Sequence, residues 1–323
     1  MKTFLGSALR CIMLVAFLGG GSAWAAETWK VIVPFAGGGA MDVLARMVAE
    51  GIQRQTGNAV VVENIPGANG NIGMAAAARA PADGKTMVVN SEAFATVNPL
   101  LFKDSMRYDP KDFTPISLLG EQQAVLATSP ASGIKDFRDF LQKARSDRGI
   151  TYTSAGVGST SHLATSYLAQ TVGGLKVVHV PFTGGAPAMN ALVGGQVDSA
   201  FIIAGNVVPF AQSGKVVPIA VSGKTRLSQL PNVPTVAELG YPSFDAVQGM
   251  VLLVHADTPA EKKTELAKLS RAAMDSQKIR EFMDRTAMKL VNSTPQEAQT
   301  WLDRERRLWT ELIQNQKIIA EKP

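Results

Sequence analysis

The apolar positions change period again and again along the chain. A mostly apolar run at residues 29–34, holding Trp29, Val31, Ile32 and Val33 around Lys30, predicts a buried strand, and residues 42–55 then set Leu44, Met47, Val48 and Ile52 on one face of a helix. Strand character returns at 59–63 and 86–89, on either side of an alanine-rich helix at 71–79. Strands alternating with helices imply parallel pairing through right-handed crossovers, hence an α/β architecture. A second series, with a helix at 134–145 and strands at 150–153, 176–180, 197–202 and 216–221, predicts two sheets rather than one. The last quarter is helical: Thr258-Pro259-Ala260-Glu261 and Thr294-Pro295-Gln296-Glu297 each supply an N-cap Thr, a Pro for the first helical position and a Glu able to close a capping box. Two long helices should follow them. Arg304, Arg306 and Arg307 fall on the second, and the interspersed Asp303 and Glu305 predict a solvated helix face there.

The first 25 residues stand apart. Lys2 and Arg10 precede an apolar stretch from Cys11 to Leu18, then a Gly/Ser break and Ala23-Trp24-Ala25, the three-part form of a cleavable secretory signal. The apolar run is too short for the roughly 20 residues of a membrane span. Cys11 precedes that run instead of closing it, which argues against a lipid anchor. The expectation is export, with cleavage near Ala25 or Ala26.

Composition narrows the chemistry. With 46% apolar and 18% charged residues in 323, the chain can bury a large core, so disorder and small disulfide scaffolds are excluded. The formal charge of +5 falls to +3 without Lys2 and Arg10, too little and too scattered for a phosphate-tracking surface, so no nucleic-acid partner is expected. Cys11 is the one cysteine, which removes thiol chemistry from residues 26–323. His162, His179 and His255 are the three histidines, and none has a second ligand at a metal-binding spacing. Gly84-Lys85-Thr86 and Gly223-Lys224-Thr225 resemble the tail of a phosphate loop, but Arg79 and Pro218 stand where its leading glycine belongs. Neither a metal nor a cofactor is expected.

Three glycine-bordered turns each leave a strand and open a helix. The first, Pro34-Phe35-Ala36-Gly37-Gly38-Gly39-Ala40-Met41-Asp42, exposes backbone N–H groups at a positive helix end, a site for an anion. Asp42 stands where a dinucleotide fingerprint needs glycine, so a carboxylate guest matches better than a nucleotide; a tight turn without a ligand is the other reading. The second, Ser154-Ala155-Gly156-Val157-Gly158-Ser159-Thr160-Ser161-His162, adds hydroxyls that can bind an anion, cap the helix, or do both. The third is Pro181-Phe182-Thr183-Gly184-Gly185. Ser159 or Ser161 beside His162 could suggest a secreted serine esterase, but no Gly-x-Ser-x-Gly elbow accompanies them, and no catalytic residue is assigned.

The order of further motifs points to a family. Pro34-Phe35 with its glycine turn and Asp42 is followed by Val62-Glu63-Asn64-Ile65-Pro66-Gly67-Ala68-Asn69-Gly70-Asn71-Ile72-Gly73, Asp83-Gly84, Tyr108-Asp109-Pro110-Lys111-Asp112-Phe113, Ser154 to Ser159, Val180-Pro181-Phe182, Gly194-Gly195-Gln196-Val197-Asp198 and Leu230-Pro231-Asn232-Val233-Pro234-Thr235-Val236-Ala237-Glu238. This order resembles the Bug-type periplasmic solute receptors, the extracytoplasmic subunits of tripartite tricarboxylate transporters. The resemblance implies a two-lobed periplasmic binding protein of type II-like fold, with two mixed sheets, flanking helices and two crossover strands. It places lobe 1 at 27–124 plus 252–323 and lobe 2 at 125–251.

By the same resemblance the guest would sit between the lobes. Phe35, Ala36, Gly37, Gly38, Gly39, Ala40, Asp42 and Ser91 would hold it from lobe 1, and Ser154, Gly158, Ser159, Thr160, Phe182, Thr183 and Asp198 from lobe 2. The chain departs from the family pattern at Ala36, at Phe182-Thr183 in place of a Tyr-Lys or Tyr-Arg pair, and at Gln248 in place of an aromatic. A lost cation and phenol favour a small mono- or dicarboxylate, aliphatic or aromatic, over citrate, whose extra charge would forgo a contact worth about 1.5–3 kcal/mol. The expected partners are that carboxylate and the membrane permease subunits of such a transporter, with a sensor kinase as the alternative, and the receptor is expected to be a periplasmic monomer without enzymatic activity.

Overall fold

In a computed structural model that describes residues 27–182 and 184–319, the apolar runs become strands and the amphipathic stretches become helices that cover them. The signal-like leader and Thr183 lie outside the described residues. The first series is β1 (Thr28–Val33), α1 (Ala40–Thr56), β2 (Ala59–Asn64), α2 (Asn71–Ala78) and β3 (Thr86–Ser91), close to the spans predicted from periodicity. Two helical turns, α3 (Ala93–Thr96) and α4 (Asn98–Leu101), lead towards β4 (Phe113–Thr128). The second series is α5 (Phe137–Arg145), β5 (Ile150–Ser154), α6 (Thr160–Val172), β6 (Val177–Pro181), α7 (Gly185–Val193), β7 (Ser199–Ile203), α8 (Ala204–Gln212) and β8 (Val217–Val221). β9 (Val247–His255), α9 (Ala260–Met274), α10 (Gln277–Arg285), β10 (Met288–Leu290) and α11 (Pro295–Asn315) complete the chain.

Both series form mixed sheets. In the first, β1 pairs in parallel with β2 and β3, while β9 lies antiparallel between β3 and β4. In the second, β5 pairs in parallel with β6 and β7, and β7 lies antiparallel to β4. The two are hung on one strand: β4 has 16 residues, of which 113–123 pair with β9 and 124–128 pair with β7 and β8. The hydrogen-bonding order is therefore continuous, β2-β1-β3-β9-β4-β7-β5-β6. The exchange of partners falls between Gln123 and Ala124. On the returning strand, Ala246 N–H still donates to Ser222 of the second half, whereas Val247 pairs with Gln123. We propose that the lobes divide at these two points, so that β9 joins the first half from Val247 onward.

The helices follow from close approach as well as periodicity. α1 packs on α9 where Gly51 faces Ala273, and a Cβ on Gly51 would stand 2.9 Å from the Ala273 backbone. α11 behaves as a strap across the back of the molecule. Its Ala298, Trp301 and Leu302 pack with β3 and β9 residues such as Val88 and Leu253, while its Trp309, Leu312 and Ile313 pack with Phe201, Phe244 and Leu163 of the second half. The capping box at Thr294 and Glu297 forms, but the N-cap of α9 is Pro259, and the buried Thr258 hydroxyl caps nothing.

Arg304, Arg306 and Arg307 are exposed, as expected of a solvated face, but Glu305 is not part of it. It is 1% exposed at the middle of the strap, where Trp309 Nε1 donates to it at 3.0 Å and Arg304 pairs with it at 2.8 Å. Glu92, also buried, accepts the N–H of Gly249 in β9 at 2.9 Å. Burial, helped by the like charge of Glu305, pushes the Glu92 carboxyl up to about 8; burial likewise raises Glu305, against the pull of Arg304. The native state therefore holds protons that the unfolded chain releases above about pH 4.5. Stability should fall as pH rises through 5 to 8, by on the order of a few kcal/mol, and Glu92→Gln should flatten that slope. Urea denaturation at several pH values reads it; an equal slope in both proteins would refute the assignment.

Candidate functional site

A cavity of about 640 Å³ lies where the two halves face each other. Four strand ends supply it. Phe35, Ala36, Gly38, Gly39, Ala40, Met41, Asp42 and Val43 come from the turn between β1 and α1, and Ala155 from the turn between β5 and α6. Gly185 opens α7, and Ile203, Gly205 and Asn206 carry β7 into α8. The crossing strands form the floor through Gln122 of β4 with Gln248 and Met250 of β9, and Phe282 and Thr286 close one side. Loops at the carboxyl ends of strands converge here, as expected for a ligand crevice in open α/β sheets.

The chemistry of the wall is that of helix N-termini. α1, α7 and α8 all begin on it, at N-cap residues Gly39, Gly184 and Ile203, none of which makes a side-chain cap. Their first-turn N–H groups have no intrahelical acceptor, and the peptide dipoles place positive charge at these ends. Among the described residues the lining contains no Lys, Arg or His, and Asp42 is its one ionisable group. Amides from Gln122, Gln248 and Asn206 and the Thr286 hydroxyl add neutral donors, while Phe35, Met250, Ile203 and Phe282 add apolar surface.

Asp42 organises the first turn. Its carboxylate accepts the N–H of Gly38 at 2.8 Å, Asn64 Nδ2 at 2.9 Å and Arg46 Nε at 3.1 Å. Burial pushes its carboxyl up, but these donors outweigh that and hold it below the usual carboxylate range. Gly38 takes φ of +86°, a conformation open to glycine at little cost. The buried carboxylate thus faces its own turn, which leaves the helix end for a guest.

The other sequence-predicted residues separate into groups. Gly37 stands beside Asn64, next to the wall rather than on it. Ser91 is buried, with its N–H donating to Asn90 Oδ1. Ser154, Gly158 and Ser159 lie behind Ala155: the Ser159 hydroxyl donates to Gly156 O and accepts the His162 N–H as the N-cap of α6. Thr160 reaches across the halves, accepting from Gln248 Nε2 at 3.3 Å. Phe182 is bound through its N–H to Ser154 O and packs against the apolar cluster of β7 and α8. Asp198 is not brought to the cavity. It precedes β7 at the opposite end from Ile203, and its carboxylate takes the N–H and hydroxyl of Thr151 and pairs with Lys143. Ala155, Asn206, Phe282 and Thr286 were not foreseen, because only the fold brings them together.

Nor do the serines form a catalytic set with His162. Its Nδ1 accepts from Gly158 N–H, and the Ser154 hydroxyl that meets His179 belongs to a residue with no solvent exposure.

Residues 44–318 match the model of the tripartite tricarboxylate transporter family receptor. The chain is similar to the periplasmic binding protein BugD, 29% identical with a TM-score of 0.78 over 91% of this chain and 99% of that one. It is similar to Rpa4515 of R. palustris, solved with adipate, at 27% identity and a TM-score of 0.81 over 92% and 100%. It is also similar to MatC of Rhodopseudomonas palustris, solved with bound malate, at 28% identity and a TM-score of 0.77 over 90% and 100%.

Two carboxylates from the same candidate list thus separate by role. Asp42→Ala should strip partners from Gly38, Asn64 and Arg46, costing about 1–3 kcal/mol and disordering the first turn. Asp198→Ala should cost a similar amount by freeing Thr151 and Lys143 while leaving the first turn unchanged. Denaturation midpoints with amide hydrogen exchange across residues 36–42 test this; equal loss of protection there in both variants would contradict it.

Proposed function

The chain belongs to the tripartite tricarboxylate transporter receptor family, and from that premise we propose that it captures one small organic mono- or dicarboxylate between its two lobes and presents it to the permease subunits of such a transporter. Members of the family are periplasmic binding proteins, and the signal-like leader supports the same compartment for this one. The reading assigns it no reaction of its own and no cofactor. One observation carries the choice of guest: the cavity wall offers three helix N-termini and neutral amides, with no cationic side chain among the described residues.

Such a wall suits one carboxylate head. Backbone N–H groups are fixed in direction, so they bind an anion without the ordering cost of a long cationic side chain. The apolar surface of Phe35, Met250 and Phe282 suits a short carbon skeleton beyond that head. A third carboxylate would have to be desolvated with no opposing charge, which is expensive. Bound adipate and malate in similar receptors fit this range of guests.

Closure would follow from the shared wall. A guest that touches α1 on one side and α7 or α8 on the other gains all its contacts only when the halves approach, and that differential affinity supplies the free energy of closing. In a thermal-shift screen of small carboxylates, adipate, malate or a related mono- or dicarboxylate should raise the melting temperature, and citrate should raise it less. Small-angle scattering should show a smaller radius of gyration with the best ligand. Tightest binding by citrate would defeat the choice of guest, and unchanged dimensions at saturation would defeat closure.

A further inference from the structure

The turn between β5 and α6 is held from below by stacked rings. His162, the third residue of α6, is buried, and its Nδ1 accepts the N–H of Gly158 at 3.1 Å. His179 of β6 lies against it with ring centroids 4.4 Å apart and planes 7° from parallel. His179 Nε2 is 2.7 Å from Ser154 Oγ, and that oxygen accepts the N–H of Gly156 at 3.1 Å. Tyr152 of β5 extends the stack, 4.8 Å from the His179 ring. Each of the two histidines therefore holds one glycine of the turn, His162 directly and His179 through a hydroxyl.

Both glycines need holding. Gly156 has φ of +118° and Gly158 of +77°; the Gly156 carbonyl is held by the Ser159 hydroxyl, and the N–H groups of Gly156 and Gly158 are held by Ser154 Oγ and His162 Nδ1. The turn matters at both ends: Ala155 is on the cavity wall, and Thr160 meets Gln248 of the crossing strand. Gly158 also faces the other half, since a Cβ there would stand 3.0 Å from the Phe102 ring and 3.1 Å from Leu101.

From this arrangement we infer that His162 and His179 are positioning residues for the bound carboxylate: His179 braces the Ser154–Thr160 turn through the Ser154 hydroxyl, and a neutral His162 fixes that turn and releases it when protonated. The inference rests on the carboxylate-receptor reading above and adds a pH dependence to it. An imidazole that accepts an N–H through Nδ1 has no proton there; adding one sets two donors face to face and breaks the bond to Gly158. A second charge on the stacked neighbour would repel the first. The rings facing His162 are His179 from β6 and Tyr152 from β5, and no carboxylate among the described residues acts on its charge. Burial, then His179, push His162 down to about 4, which is the direction required for a ring that is neutral while the turn is held.

The sign follows from linkage. A His162 freed with its turn titrates near its ordinary 6.5, whereas the held ring resists the proton to about 4, so acid between these values favours the released turn. Carboxylate affinity should therefore weaken as pH falls from 7 towards 5.

The experiment uses adipate or malate, whichever the screen shows to bind, in calorimetric titrations at pH 7 and pH 5. Wild-type affinity should drop about tenfold more than that of His162→Asn, whose side-chain oxygen can accept from Gly158 but does not titrate. Because both proteins see the same ligand, the ligand's own protonation cancels. His162→Leu should bind about two- to tenfold more weakly than wild type already at pH 7. A ligand-free arm measures the protection factor of the Gly158 amide in ¹⁵N-labelled protein, which should fall between pH 7 and pH 5 in wild type and hold in His162→Asn. Parallel loss of affinity in wild type and His162→Asn, or equal Gly158 protection at both pH values in wild type, would overturn the inference. If no carboxylate binds at pH 7, the receptor reading fails and the positioning role with it, and the ligand-free arm then decides separately whether the rings hold the turn.

Discussion

A single strand shared by two sheets is the constraint on which the rest of the structure depends. β4 pairs with β9 between Phe113 and Gln123 and with β7 and β8 between Ala124 and Thr128, so both halves take their orientation from one continuous backbone. Strand ends from the two sheets are thereby turned towards each other, and the turns that leave them must converge. The cavity lies where it does because of this convergence, rather than because any one loop is unusual. In the closure proposed above, the partner exchange beside Gln123 is where the two halves would rotate, since each half would keep its own ladder intact.

The back of the same junction is closed differently. The strap helix α11 packs against both halves, and two carboxyl groups are buried at this contact: Glu305 of the strap, held by the buried Trp309 and the exposed Arg304, and Glu92 at the start of α3. Glu92 ties α3 to the crossing strand through Gly249, whose missing side chain makes room for the Trp301 ring. Ionisable groups kept out of water in this way are expensive unless protonated or paired, and both solutions are used here. The front of the junction has neutral donors facing a cleft, and the back has acids facing a core.

Charge is handled sparingly at the cleft. The Asp42 carboxylate is paired with Arg46 and takes hydrogen bonds from Gly38 and Asn64, so its charge is offset and the helix ends supply the positive field at the wall. Dipoles fixed by the fold discriminate by position, because an acceptor must lie on the helix axes to benefit. A wall of this kind recognises where an acid group sits more than how much charge a molecule carries. The His162 ring behind the second turn serves the same economy, since a neutral imidazole holds the Gly158 amide in place without adding charge to the site.

Local pattern was enough for much of this. The alternation of apolar runs and amphipathic stretches determined the α/β class and most strand positions, since periodicity is written in consecutive residues, and the glycine turn ahead of Asp42 identified one wall of the cavity. The motif order, from Pro34-Phe35 to the segment ending at Glu238, was legible as a family resemblance for the same reason. β4 and β9 were not read as strands: Glu121, Gln122 and Gln123 interrupt the apolar run where β4 passes between sheets, and the polar Gln248 and Gly249 do so in β9. Only the tertiary structure decided that Asn206, Phe282 and Thr286 share a wall with Phe35, that Asp198 faces away from it, and that Glu305 is buried. Those outcomes depend on which chain segments, distant in sequence, are brought side by side, and no local spacing encodes that; it is set when the two sheets close on their common strand.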